Sequence, residues 1–206
     1  MKEIRALLLA AGIGTRLRPL TKNWPKCLMP IGDRPLLEYW LQNLRQAGIQ
    51  KVLVNLHHHA DKVRQFLQRP AFRGWVDSVY EETLLGTAGT LLTNKSFFQD
   101  CTILLVHADN WCQCRFTDFL DFHQGHRPEH CPFTMMTFNS LSPQTCGIVE
   151  TDHQGVVLQF HEKISNPIGN QANGAVYLLE PEVLEWLEQN RNVSDFSCEV
   201  IPQFLG

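Results

Sequence analysis

Residues Leu7 to Ile31 read LLLAAGIGTRLRPLTKNWPKCLMPI. The apolar run from Ile4 to Ala10 has the continuous hydrophobicity of a strand buried on both faces, as in a central parallel sheet. Glycines, arginines and a lysine follow at once, which is how phosphate-handling loops begin. A nucleotide-hydrolase loop needs Lys-Ser or Lys-Thr after its last glycine, but Gly14 is followed by Thr15-Arg16. A dinucleotide fingerprint needs a third glycine where Leu17 stands, and Pro19 blocks a regular helix under a pyrophosphate. A third reading is an extended loop in which Ala10, Ala11, Gly12, Gly14 and Thr15 bring backbone N–H groups to a triphosphate. Arg16 then holds the phosphate being expelled, and Lys26, stiffened by Pro25, places charge on the reacting group.

Outward from this stretch, Pro35 pre-sets a helix whose Leu36, Leu37, Trp40, Leu41, Leu44 and Ala47 share one face before Gly48 ends it. Lys51 to Leu56 reads as a strand, Ala60 to Leu67 as a helix, and Trp75 to Tyr80 and Cys101 to His107 as further strands. This alternation predicts an α/β fold: a Rossmann-like, doubly wound, mostly parallel mixed sheet in three α/β/α layers. Later strands at Phe133 to Phe138, Gly147 to Thr151, Val156 to Phe160 and Ala172 to Leu179 have fewer helices between them. They are expected as mixed or antiparallel additions to the same sheet, with a helix after Pro181.

With 206 residues, 44% of them hydrophobic, one substantial core is expected, and a net charge of −3 provides no cationic field for nucleic acid or an anionic membrane. Charged residues at the start and no membrane-length apolar run point to a cytoplasmic protein. Seven cysteines, several inside apolar runs, read as reduced thiols.

AAGIGTRLRPLT followed by PKCLMPI resembles the signature of the sugar-1-phosphate nucleotidyltransferases, which join a nucleoside triphosphate to a sugar 1-phosphate and release pyrophosphate. Several motifs further along carry the same resemblance. EETLLGTAGT, Glu81 to Thr90, looks most like the guanylyltransferases that make GDP-mannose and related sugars; it implies base contacts from Glu82, Gly86 and Thr87. Taken alone it is a turn at Gly86 and a helix start capped by Thr87. LLVHADNW ends a buried strand in Asp109, and a single carboxylate there suits Mg²⁺, which binds one or two carboxylates plus substrate phosphates. FHEK and NGAVYLL resemble the family's sugar-phosphate clamp, implying Glu162, Lys163 and Asn173, with Gly147 giving close backbone approach to the sugar. Adjacent side chains such as Glu162 and Lys163 need an irregular strand end to reach one ligand.

The activity so implied is an in-line attack of a mannose- or heptose-like sugar 1-phosphate on the α-phosphorus of GTP, without a covalent enzyme intermediate. The alternatives are uridylyl or thymidylyl transfer, or a non-catalytic sugar-nucleotide binder on the same fold; homo-oligomers are compatible with all of these. The family's Asp-x-Gly-Thr motif, bearing a second metal carboxylate, is missing, and Asp195 and Glu199 do not align with it. A single nucleotidyltransferase domain over residues 1–206, lacking the family's C-terminal end, is therefore expected. Cys112, Cys114, His123 and His126 can be drawn as a zinc site, but Cys-x-Cys lacks the room of the usual knuckle. The His57-His58-His59 run reads as a strand-to-helix turn.

Overall fold

The computed structural model describes residues 2–205. The opening apolar run forms β1 (Ile4–Leu9), with Ala6, Leu7 and Leu8 fully buried. No regular helix follows it. Short 3-10 turns at Thr15–Leu17, Leu20–Lys22 and Lys26–Leu28 carry the chain, as Pro19 and Pro25 require. A minimal hairpin, β2 (Pro30–Ile31) and β3 (Arg34–Pro35), leads into α1 (Leu36–Gln46), which has Pro35 at its N-cap and Gly48 in the left-handed region just past its end. The predicted apolar face is the buried one, from Leu36 to Leu44; Ala47 is the C-cap residue, packed at the margin of the core.

Next come β4 (Lys51–Leu56), α2 (Ala60–Leu67), β5 (Val76–Tyr80), α3 (Gly86–Thr93) and β6 (Thr102–His107). After β6 lies α4 (Phe116–Gly125), a helix without a side-chain cap, whose buried Phe116, Leu120 and His123 give only a thin periodic signal. The rest of the chain forms β7 (Phe133–Asn139), β8 (Gly147–Thr151), β9 (Val157–Glu162), β10 (Gln171–Leu179) and α5 (Pro181–Gln189). α3 departs from expectation in one detail. Thr87 does not cap it; the residue ahead of the helix is Leu85, and the Thr87 hydroxyl oxygen accepts the N–H of Phe196 at 2.6 Å.

The sheet order is β5-β4-β1-β6-β10-β8-β9, with β7 also paired to β10. β5, β4, β1 and β6 run parallel, and the later strands add antiparallel, as their spacing predicted. From β1 the chain proceeds outward to β4 and β5, then returns to place β6 on the other flank of β1. Loops leaving β1 and β6 therefore diverge at their carboxyl ends, opening a crevice of the kind where α/β sheets bind ligands. Alternate side chains of β1 serve the two layers. Ala6 and Leu8 pack with Trp40, Val63 and Phe116 on one face, and Leu7 with Leu91, Val183 and Phe196 on the other.

Candidate active site

The glycine loop leaves β1 over the crevice. Among the described residues, no group accepts a hydrogen bond from the backbone N–H of residues 11–16, so this run of donors is free to meet an anion. A side-chain carbon on Gly12 would meet nothing within 4 Å, leaving the backbone open on that side. Gly14 has φ +66°, and its carbonyl accepts from the Thr21 hydroxyl at 2.8 Å. A Cβ there would come within 3.1 Å of the Lys26 Cβ, so the glycine lets the lysine stem pack against the loop. Arg16, on an exposed 3-10 turn, lies close enough to Lys163 for the two charges to oppose each other.

The histidine run anchors this loop from below. His58 Nε2 meets the carbonyl of Thr21 at 3.2 Å, His59 Nε2 that of Lys22 at 3.1 Å, and Lys62 donates to the Asn23 carbonyl while lying over the Trp24 ring. His59 is in the left-handed conformation that joins the turn to α2.

At the end of β6, Lys26 donates to Asp109 Oδ2 in a half-buried ion pair. Asp109 lines a cavity of about 170 Å³ together with Gly12, Leu84, Gly86, Thr87 and His107; a larger cavity, about 890 Å³, is lined from the next residue, Asn110, and walled by Gly147, Glu162, Lys163 and Asn173. Burial holds the His107 imidazole below its ordinary pKa, with the charges of Asp109 and Asp195 opposing. Its Nε2 is buried and has no hydrogen-bond partner among the described residues.

The wall of the smaller cavity contains a network that sequence reading did not single out. Asn55, in the apolar run of β4, accepts the Ala10 N–H on Oδ1 at 2.7 Å and donates from Nδ2 to Glu81 Oε1 at 2.9 Å. Thr90 donates to the same carboxylate oxygen at 2.6 Å, and Leu85 N–H reaches Glu81 Oε2 at 3.3 Å. Asn55, Glu81 and Thr90 are all buried. Together they fix the start of the glycine loop to the start of α3. Glu82, the carboxylate named from sequence, is exposed and outside this lining. The one available signal was an asparagine inside KVLVNL, where an unpaired amide would be costly.

In the larger cavity, Glu162 closes β9 and Lys163 follows with φ 48°, the irregular strand end that lets neighbouring side chains face one space. The two are paired at 2.6 Å, and that hydrogen bond and the Glu162 charge raise the Lys163 pKa. Gly147 gives room to side chains: a Cβ would fall 2.6 Å from Phe160 Cζ and 2.8 Å from Glu162 Oε2. Asn173 faces the cavity but spans a bulge in β10, accepting from Ala175 N–H at 2.8 Å and donating to the Tyr177 hydroxyl at 2.7 Å.

The drawn zinc set does not assemble. His123 is buried between the Thr134 hydroxyl and Glu180, and His126 stacks on Phe122, while Cys112 and Cys114 line the larger cavity. No group of three or more His, Cys, Asp or Glu able to hold a metal occurs among the described residues. Asp109, half-exposed at a strand end beside a phosphate-ready loop, fits Mg²⁺ brought in with a nucleotide and not a closed, all-protein metal site.

The family model described as nucleotidyl transferase matches residues 5–206. A mannose-1-phosphate guanylyltransferase catalytic subunit beta of Drosophila pseudoobscura pseudoobscura is 32% identical over 188 residues, 89% of this chain and 50% of that protein. A UTP–glucose-1-phosphate uridylyltransferase of Synechocystis is 29% identical, over 98% of this chain and 55% of the relative. The chain thus spans about half the length of the curated relatives it matches. Among solved structures, HddC from Yersinia pseudotuberculosis complexed with GMP-PN superposes with a TM-score of 0.79 at 21% identity, over 100% of this chain and 88% of that one.

Proposed function

Since the chain belongs to the nucleotidyl transferase family, we propose that it forms the nucleotide-binding and reacting part of an enzyme that joins GTP to a mannose- or heptose-like sugar 1-phosphate and releases pyrophosphate. The observation that carries this reading is the Lys26–Asp109 pair, whose carboxylate lines the smaller cavity and directly precedes Asn110 in the wall of the larger. A cation and a carboxylate that neutralise each other there are poised to exchange partners when phosphate and metal arrive. Asp109 would hold Mg²⁺, and the bound ion would supply charge neutralisation at phosphate oxygens.

The remaining steps belong to side chains of this protein. Lys26, released from Asp109, faces the α-phosphate; free N–H groups of residues 11–16 cradle the triphosphate; Arg16 draws off the departing pyrophosphate. Lys163 pairs with the sugar 1-phosphate, and Glu162 accepts from sugar hydroxyls, with Asn173 and the backbone at Gly147 bounding the sugar. A phosphate monoester dianion is nucleophilic already, so alignment and charge do most of the catalysis. The base lies along Leu84, Gly86 and Thr87, with a backbone carbonyl accepting from the two-donor edge of guanine.

Guanine is supported by the wording of LLGTAGT and by the guanylyltransferase relatives; the uridylyltransferase relative supports UTP as the second reading. Competition of GTP and UTP at equal concentration separates them. A site built for the guanine edge should favour GTP by a factor on the order of ten to a thousand, because the wrong base leaves buried groups unpaired. Predominant UDP-sugar would reject guanine and keep the transferase reading. A non-catalytic binder would give neither product.

A further inference from the structure

The Cys112–Cys114 pair, separated from the histidines it seemed to match, has a different neighbour in three dimensions. Cys112 Sγ lies 3.6 Å from Cys114 Sγ and 3.7 Å from Met136 Sδ, and all three residues line the larger cavity. Met136 comes from β7, so only the fold brings the third sulfur in. We propose that Cys112, Cys114 and Met136 form a three-sulfur binding site for a soft monovalent cation, Cu(I).

Two arguments support it. Donor chemistry comes first: two thiols and a thioether are ligands that select Cu(I). Spacing is the second. Metal–sulfur bonds of about 2.3 Å in a trigonal array put the sulfurs about 4 Å apart, so the two observed separations need to open by only a few tenths of an ångström. Thiol protons displaced by the metal are released to solvent. No oxidation or reduction is involved: Cu(I) enters and leaves as Cu(I). Cys146, which lines the same cavity, has hydroxyl and carbonyl neighbours but none of these sulfurs in contact.

Because Glu162, Lys163 and Asn173 wall the same cavity, bound Cu(I) should compete with sugar 1-phosphate; this corollary alone rests on the proposed function. The test titrates the reduced full chain, without oxygen, with Cu(I) held by bathocuproine disulfonate, and reads loss of the chelator's colour. Wild type should withdraw one Cu(I) per chain. Cys112→Ser, Cys114→Ser and Met136→Leu should each weaken binding by about tenfold or more, at least the cost of losing a supporting group around a metal. Cys146→Ser and Cys198→Ser should bind as wild type does, and matched thermal melts show that the variants are folded. Wild-type affinity in either Cys112→Ser or Cys114→Ser overturns the site, and wild-type affinity in Met136→Leu overturns its three-sulfur character. Intact Cu(I) binding that mannose 1-phosphate does not weaken leaves the metal site standing and counts against the sugar-phosphate assignment of the cavity.

Discussion

Asn55→Asp changes one atom pair in the buried network and should destabilise the fold by an amount that depends on pH. The new side chain is isosteric and still accepts the Ala10 N–H, but it places an oxygen where Asn55 Nδ2 lies 2.9 Å from Glu81 Oε1. Two carboxylates that close, both buried, cannot both ionise, so the folded variant must keep one proton. At pH 7, roughly three units above the ordinary carboxylate value of about 4 and at about 1.4 kcal/mol per unit, holding that proton costs about 4 kcal/mol. This is a large share of the roughly 5–15 kcal/mol that holds a domain folded. The sign follows from proton counting: the folded variant binds more protons than its unfolded chain, so its stability falls as pH rises. Urea unfolding of wild type and variant at pH 5 and pH 7.5, followed by tryptophan fluorescence, measures the difference. Its penalty should shrink toward pH 5 by about 1.4 kcal/mol per unit. A penalty below about 1 kcal/mol at pH 7.5, or one that does not change with pH, would refute the network as the clamp between the glycine loop and α3.

Other consequences are independent of this pair. Gly147→Ala should raise the KM for sugar 1-phosphate by roughly ten- to a hundredfold while sparing nucleotide binding, because its Cβ displaces Phe160 and Glu162; an unchanged KM contradicts the Glu162 assignment. Gly86→Ala should destabilise by about 2 kcal/mol or more in thermal unfolding, since φ is +78° and the Cβ collides with the Ser194 carbonyl, which accepts the Ala88 N–H. Burial opposes ionisation of Glu180, but hydrogen bonds from Lys2, His123 and Thr102 hold its carboxyl down at about 2, against an ordinary 4.5. Its contribution is therefore complete above pH 4.5 and lost as pH falls toward 2, and melting temperatures of Glu180→Gln should decline less steeply with acid than those of wild type.

Much of the fold was legible because its central strands are apolar throughout and its helices carry one apolar face. β4 and α2 occur at the predicted residues, and Pro35 and Gly48 mark the ends of α1 as their backbone preferences require. α4 was harder to see, because no proline marks its start as Pro35 and Pro181 mark those of α1 and α5. In the site, Gly14, Lys26 and Asp109 were named from the strand–loop pattern and the family resemblance, and the fold brings Lys26 to Asp109. The Glu81–Glu82 choice could not be read, since neighbouring carboxylates look alike until the turn decides which is buried; here Glu81 turns inward to Asn55 and Thr90. Thr87 likewise looks like a cap in sequence, but the Phe196 N–H that it accepts comes from the far end of the chain. Contacts of this kind, like the approach of Met136 to Cys112, arise from strand order and leave no local spacing to find.

The reacting role of the Lys26–Asp109 pair is the central claim, and pyrophosphate release tests it most directly. Wild type, Lys26→Ala and Asp109→Asn are incubated with Mg²⁺, GTP and mannose 1-phosphate, and pyrophosphate and GDP-sugar are counted together. Equal amounts of both products are expected from wild type, and a loss of about a hundredfold or more in Lys26→Ala, the scale of removing one transition-state charge donor. Asp109→Asn should lose Mg²⁺-dependent turnover altogether while melting as wild type does. Wild-type turnover in a folded Lys26→Ala variant would contradict the account.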